Sequence, residues 1–205
     1  MGITINYRGK IDDLSEVDHL SGELQDFAGI LKWDHQIWSE DWTQPNTACM
    51  SKEEGKVLIN GHLPIRGITL YPHEKCEPLF ITFSKEGYLT SSITMVLAAE
   101  NRLKPEESWQ TVKTQFAPVD THIVIIKLLR FIKSRYISNL EVVDEGCYWQ
   151  SDDIGELENR LNKVAKAIDT FEDSLKLIPR GVLENKSPNE IADFIEELIR
   201  KKFRG

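Results

Sequence analysis

Long apolar runs, paired cysteines and the common signatures of catalysis are all missing from this chain, and each absence narrows what it can be. Runs such as Ile123–Ile126 fall far short of the roughly 20 apolar residues that cross a bilayer, so no membrane span is expected. Met1–Arg8 has no basic region followed by an apolar stretch and a small-residue cleavage site, and no secretory signal is expected there. Three cysteines, Cys49, Cys76 and Cys147, are an odd number at unrelated spacings, which suits a reducing cytoplasm better than a disulfide framework. No glycine-rich phosphate loop, dinucleotide fingerprint, HExxH, GxSxG or paired CxxC occurs, which removes the enzyme families that carry them.

What is present describes a folded chain. The 205 residues are 40% hydrophobic and 28% charged, too apolar for a disordered chain and enough for a core without staples. The formal charge of −8 repels phosphate backbones, so nucleic acid is not an expected partner, whereas a basic protein surface would be attracted. The best basic stripe, Lys127, Arg130, Lys133 and Arg135, reads as the solvated side of a packed helix.

Periodicity orders the chain. Ile3, Ile5 and Tyr7 alternate as a strand, and Leu14, Val17, Leu24, Phe27 and Leu31 recur as a helix over about 13–31 that opens on Asp13 and Glu16. A short strand follows at 35–38, then a loop over 39–55. Strands at 57–59, 65–71 and 79–83 suggest a meander, and 88–114 is illegible because Ile93–Ala99 suits either element. A greasy helix spans 119–136, with a strand at 140–143. The expected fold is α+β: a mainly antiparallel sheet covered by helices on one face, related to the ferredoxin-like sandwich, over residues 1–150.

The remaining residues, 151–205, read as a helical hairpin packed on that domain. Ile154, Leu157, Leu161, Val164, Ile168, Phe171, Leu175 and Ile178 alternate steps of three and four behind an Asp153/Glu156 capping box, and Pro179-Arg180-Gly181 stops the helix. A second helix begins at Ser187 with Pro188 and Glu190. The seam suits either a return onto the domain or contact with a protein partner or a second copy through 153–203.

Three stretches gather chemistry. His73, Cys76 and Glu77 lie between Pro72 and Pro78, and with His122 they could ligate a divalent metal such as zinc, Asp120, Asp144 or Glu145 being further donors. A structural turn histidine and a buried thiol are the favoured reading of the same residues. Lys113 and Gln115 precede the helix at 119 and could hold a small anion at its start. Asp144-Glu145-Gly146-Cys147-Tyr148-Trp149 offers Glu145 for proton transfer, with Glu77 a second candidate carboxylate, although adjacent strand residues face opposite ways.

Gly67–Glu77, Lys113–Pro118 with His122 and Ile125–Arg130, and Asp144–Gly146 with Tyr148-Trp149 resemble a family of uncharacterised small soluble bacterial proteins. The resemblance covers most of 1–157 and implies a bacterial, cytosolic protein, bringing no activity, cofactor or catalytic residue with it. The expected function is therefore non-catalytic binding or regulation through a protein partner. A metal-assisted hydrolase or small-anion binder with a site near His73, Gln115 and His122 is the alternative.

Overall fold

A computed structural model describes residues 3–53, 55–176, 187, 189–190 and 193–194. The chain divides into two compact units, 1–158 and 159–205. The first contains β1 (Thr4–Arg8), α1 (Val17–Leu31), β2 (Asp34–Ser39), β3 (Cys49–Glu53), β4 (Lys56–Asn60), β5 (Arg66–Tyr71), β6 (Leu79–Phe83), β7 (Leu89–Thr90), α2 (Ser92–Ala99), β8 (Gln110–Lys113), α3 (Val119–Arg135), β9 (Glu141–Asp144) and α4 (Tyr148–Ser151). It also contains the first turn of α5 (Ile154–Lys176), which runs on into the second unit.

The α+β class holds, and every described ladder is antiparallel. Among the described residues the strands do not form the one sheet that a ferredoxin-like sandwich requires. They form three sets, ordered β8-β1-β9, β2-β5-β6-β7 and β3-β4. The expected meander is corrected accordingly: β4 pairs with β3 inside the stretch read as a loop, and β5 takes β2 as its other neighbour. An isolated Lys10–Tyr88 bridge and a Leu89 N–H donated to the Gly9 carbonyl link the first two sets.

Local chemistry explains most element boundaries. Asp13 Oδ1 accepts the Ser15 amide at 2.8 Å, starting a 3-10 turn at Leu14–Glu16 that leads into α1. Lys32, left-handed at φ 57°, ends α1 by donating to the Ala28 and Gly29 carbonyls. Ser91 caps α2 by accepting the Thr94 amide, which resolves Ile93–Ala99 as helix. Asp153 Oδ1 accepts the Glu156 amide at 3.1 Å as the capping box requires.

The core of the first unit joins these parts. Ile5 and Tyr7 on β1, Ile68 and Leu70 on β5, Leu79, Ile81 and Phe83 on β6, and Ile125, Ile126, Leu129 and Ile132 on α3 are all buried. Each such side chain contributes roughly 1.5–3 kcal/mol on leaving water. Tyr7 is an unusual member, because its buried hydroxyl donates to the Phe80 carbonyl and accepts the Phe80 amide, both at 2.9 Å. Desolvation pushes that phenol far up, so it stays neutral and bonds β1 to β6. Helices α1 and α3 meet edge to face at Phe27–Phe131, 5.6 Å between ring centres, and through Arg135–Glu23 at 3.0 Å.

In the second unit the described seam positions of α5, Leu161, Val164 and Ile168, are half-buried. The Ser187/Glu190 capping box is formed, with the Ser187 amide donating to Glu190 Oε2 at 2.8 Å. The side chains of Phe171 and Leu175, the Pro179–Gly181 stop and most of the expected second helix lie outside the described residues. Among the described residues no helix is long and apolar enough to cross a membrane.

Candidate functional site

The sheet β8-β1-β9 brings the end of β8 and the end of β9 to either side of the start of β1, through the registers Thr4–Lys113 and Ile5–Asp144. Backbone bonds close the corner: the Thr114 amide donates to the Ile3 carbonyl at 3.0 Å and the Glu145 amide to the Thr4 carbonyl at 3.1 Å. The first turn of α3 then lays His122 between the two strand ends. His122 Nδ1 is 2.7 Å from Thr114 Oγ1, and Nε2 is 3.2 Å from Asp144 Oδ1 without the alignment of a directed hydrogen bond.

Asp144 is the hub. Its Oδ1 accepts the Gly146 amide at 2.7 Å and its Oδ2 the Trp149 amide at 2.9 Å, so one carboxylate holds the turn into α4. Burial pushes its carboxyl up, but the contact with His122 and the two amides outweigh burial and hold it below the ordinary aspartate value. A Cβ on Gly146 would stand 2.7 Å from Leu157 Cδ1 and 3.0 Å from both Asp144 Oδ1 and His122 Cε1, so any larger residue here has to push these side chains aside. Leu157, from the first turn of α5, completes the cover.

Hydroxyl, imidazole and carboxylate in sequence resemble a nucleophilic relay, but access decides against that use. Thr114, His122 and Leu157 are at most 1% exposed and Asp144 4%, so no substrate reaches the hydroxyl or the ring in this structure. The cluster fastens β8, α3, β9 and the 144–149 turn to one another. Arg130 strengthens the same junction by donating to the Tyr148 and Trp149 carbonyls at 3.2 and 2.9 Å and pairing with Asp152 at 2.7 Å. With Lys133 bonded to the Leu140 carbonyl and Arg135 to Glu23, three of the four cations of the supposed basic stripe are committed to tertiary contacts.

The residues singled out for metal binding are placed near this corner but engaged separately. His73 Nδ1 accepts the Lys75 amide at 3.0 Å, and the His73 carbonyl accepts the Cys76 amide, which is the turn role. Burial, then the Glu77 charge, pushes the Cys76 thiol up to about 12, so it stays protonated in this setting. Glu77 Oε2 accepts the Lys113 amide at 2.9 Å while its own amide donates to the Lys113 carbonyl, extending the open edge of β8. His73, Cys76, Glu77 and His122 thus keep separate partners, as the favoured structural reading has it for His73, and among the described residues no three His, Cys, Asp or Glu side chains converge on a metal position.

The other candidates fare similarly. Glu145, proposed to move protons, points away from His122's partner and accepts the Thr4 amide at 2.9 Å, as strand alternation with Asp144 demands. The Lys113 ammonium lies over the Phe116 ring at 5.5 Å. Gln115 is half-buried, with both carboxamide atoms out of solvent and without a hydrogen-bond partner. The pairing of Thr114 with Asp144 through His122 was not foreseen, and the Asp-x-Gly step at 144–146 was its one trace in the sequence. Compared with protein-family models, curated proteins and solved structures, the chain matches none.

Proposed function

We propose that the protein is a non-catalytic binding or regulatory protein that acts through a protein partner, with 151–205 folded as a helical hairpin that makes the contact. The carrying observation is α5: a capped 23-residue helix whose apolar positions Leu157, Leu161, Val164 and Ile168 keep the spacing of a helix–helix seam into the second compact unit. The sealed state of the Thr114–His122–Asp144 cluster supports the same reading, because the best acid–base group of the chain is spent on architecture. Three free cysteines and a net charge of −8 suit a bacterial cytosolic protein and a basic partner.

Photo-crosslinking in cells from a probe at the exposed position Ala165, alongside sedimentation across a wide concentration range, tests this reading. A discrete crosslinked species, of two chains or of one other protein, is expected, and it disappears in Leu161→Asp/Ile168→Asp while the circular dichroism of the first unit persists. A protein that stays monomeric and gives no discrete crosslink overturns the proposal.

A further inference from the structure

At the opposite end of β1 from the sealed cluster, the chain leaves an open groove of about 270 Å³. It is lined by Arg8 and Lys10, by Tyr88 and Glu106, and by Asn139 and Glu141 at the entry to β9. The backbone there is set by Gly9, whose missing Cβ would stand 2.7 Å from Ile137 Cγ2, so β1 presses directly on the 137–140 turn.

The polar groups of the groove fall into two classes. Arg8 is fixed and neutralised: its guanidinium lies over the Trp109 ring at 4.6 Å and pairs with Glu141 at 2.9 Å. Asn139 is fixed but retains donors, because its Oδ1 accepts the Lys10 amide at 3.0 Å and its carboxamide N–H groups are left for a ligand. Lys10 and Glu106 differ from both. Lys10 rests over the Tyr88 face at 5.1 Å, and among the described residues neither it nor Glu106 forms an ion pair. A cation without an ion pair, held over the Tyr88 ring, and a carboxylate without one thus line the same small concavity, beside an oriented amide donor.

We infer that this groove binds a small zwitterion of the free amino acid type, its carboxylate held by Lys10 and Asn139 and its ammonium by Glu106. A ligand of one sign satisfies half of these groups and meets the other half as a like charge, whereas a zwitterion satisfies both. The volume lies just under the usual range for drug-sized ligands, of roughly 300–1,000 Å³, and suits a molecule of amino acid size. The inference is independent of the partner contact assigned to 151–205, since every group it uses lies between residues 8 and 141.

Amide chemical-shift titration of the whole chain with glycine, leucine, glutamate and lysine reads it directly, with the N-acetyl and the carboxamide forms of each as controls. Saturable shifts at Lys10, Tyr88 and Asn139 are expected with intact amino acids. They weaken about tenfold when either end of the ligand is blocked, and equally in Lys10→Met or Glu106→Gln, as for one lost charged contact. Both side chains are exposed, so the variants keep the wild-type spectrum elsewhere. No saturable shift with any of the four, or equal binding of blocked forms, overturns the inference.

Discussion

Replacing Asp144 with alanine lowers the free energy of unfolding by about 4 kcal/mol, the scale of orphaning two buried amide donors at once. The residue is 4% exposed and serves three partners, so its loss strips the acceptor from the Gly146 and Trp149 amides and leaves His122 facing a void. Each orphaned donor costs about 1–3 kcal/mol where water cannot enter. Urea denaturation followed by circular dichroism measures the change, with the slope preserved if the unfolded state is the same. A loss under about 1 kcal/mol would mean that water already reaches the cluster.

The same residue carries a pH signature. Its carboxyl sits below the ordinary value in the folded protein. Such a group adds stability that is complete above its unfolded value, about 3.9, and that is lost as pH falls through the lower folded value. Wild-type protein therefore loses this contribution on the acid side of about pH 4, and Asp144→Ala, having nothing to lose there, shows the flatter profile.

Gly67→Ala is the second large effect, arising in the other sheet. Gly67 sits in β5 at φ 133°, with an added Cβ 2.3 Å from the Ile81 carbonyl oxygen and 2.8 Å from Thr82 Cα. Both obstacles belong to the backbone of β6, which cannot yield without breaking the Gly67–Thr82 register. Backbone strain of about 1–3 kcal/mol and overpacking of about 1–3 kcal/mol together put the loss at about 2–6 kcal/mol. The informative control is Gly22→Ala in α1, where nothing lies within 4 Å and the exchange stabilises by about 0.5–1 kcal/mol. Thermal melts of the two variants should move in opposite directions, and equal shifts would remove the steric explanation.

The elements legible beforehand are those whose burial is written in nearby residues. Helix α3 covers its buried face at steps of three and four, and α5 does so over a longer span behind its capping box. The β3-β4 hairpin escaped notice because Cys49–Glu53 is mostly exposed and has no apolar alternation to reveal it, while backbone pairing alone defines it. For α2, Ile93–Ala99 is apolar under either assignment, and the deciding feature was a cap one residue upstream, at Ser91.

The candidate site shows the same division more sharply. That His73, Cys76, Glu77, Lys113, His122 and Glu145 belong to stretches able to carry chemistry follows from residue type alone. Which of them meet depends on the Ile5–Asp144 register, which turns Asp144 inward and Glu145 outward, and on the α3 turn that delivers His122 to Thr114. Residue order sets period, caps and charge, because those act over one or two helical turns. Contacts across 24 residues between His122 and Gly146 wait on strand pairing, burial and a missing Cβ, which arise only when distant segments close on one another.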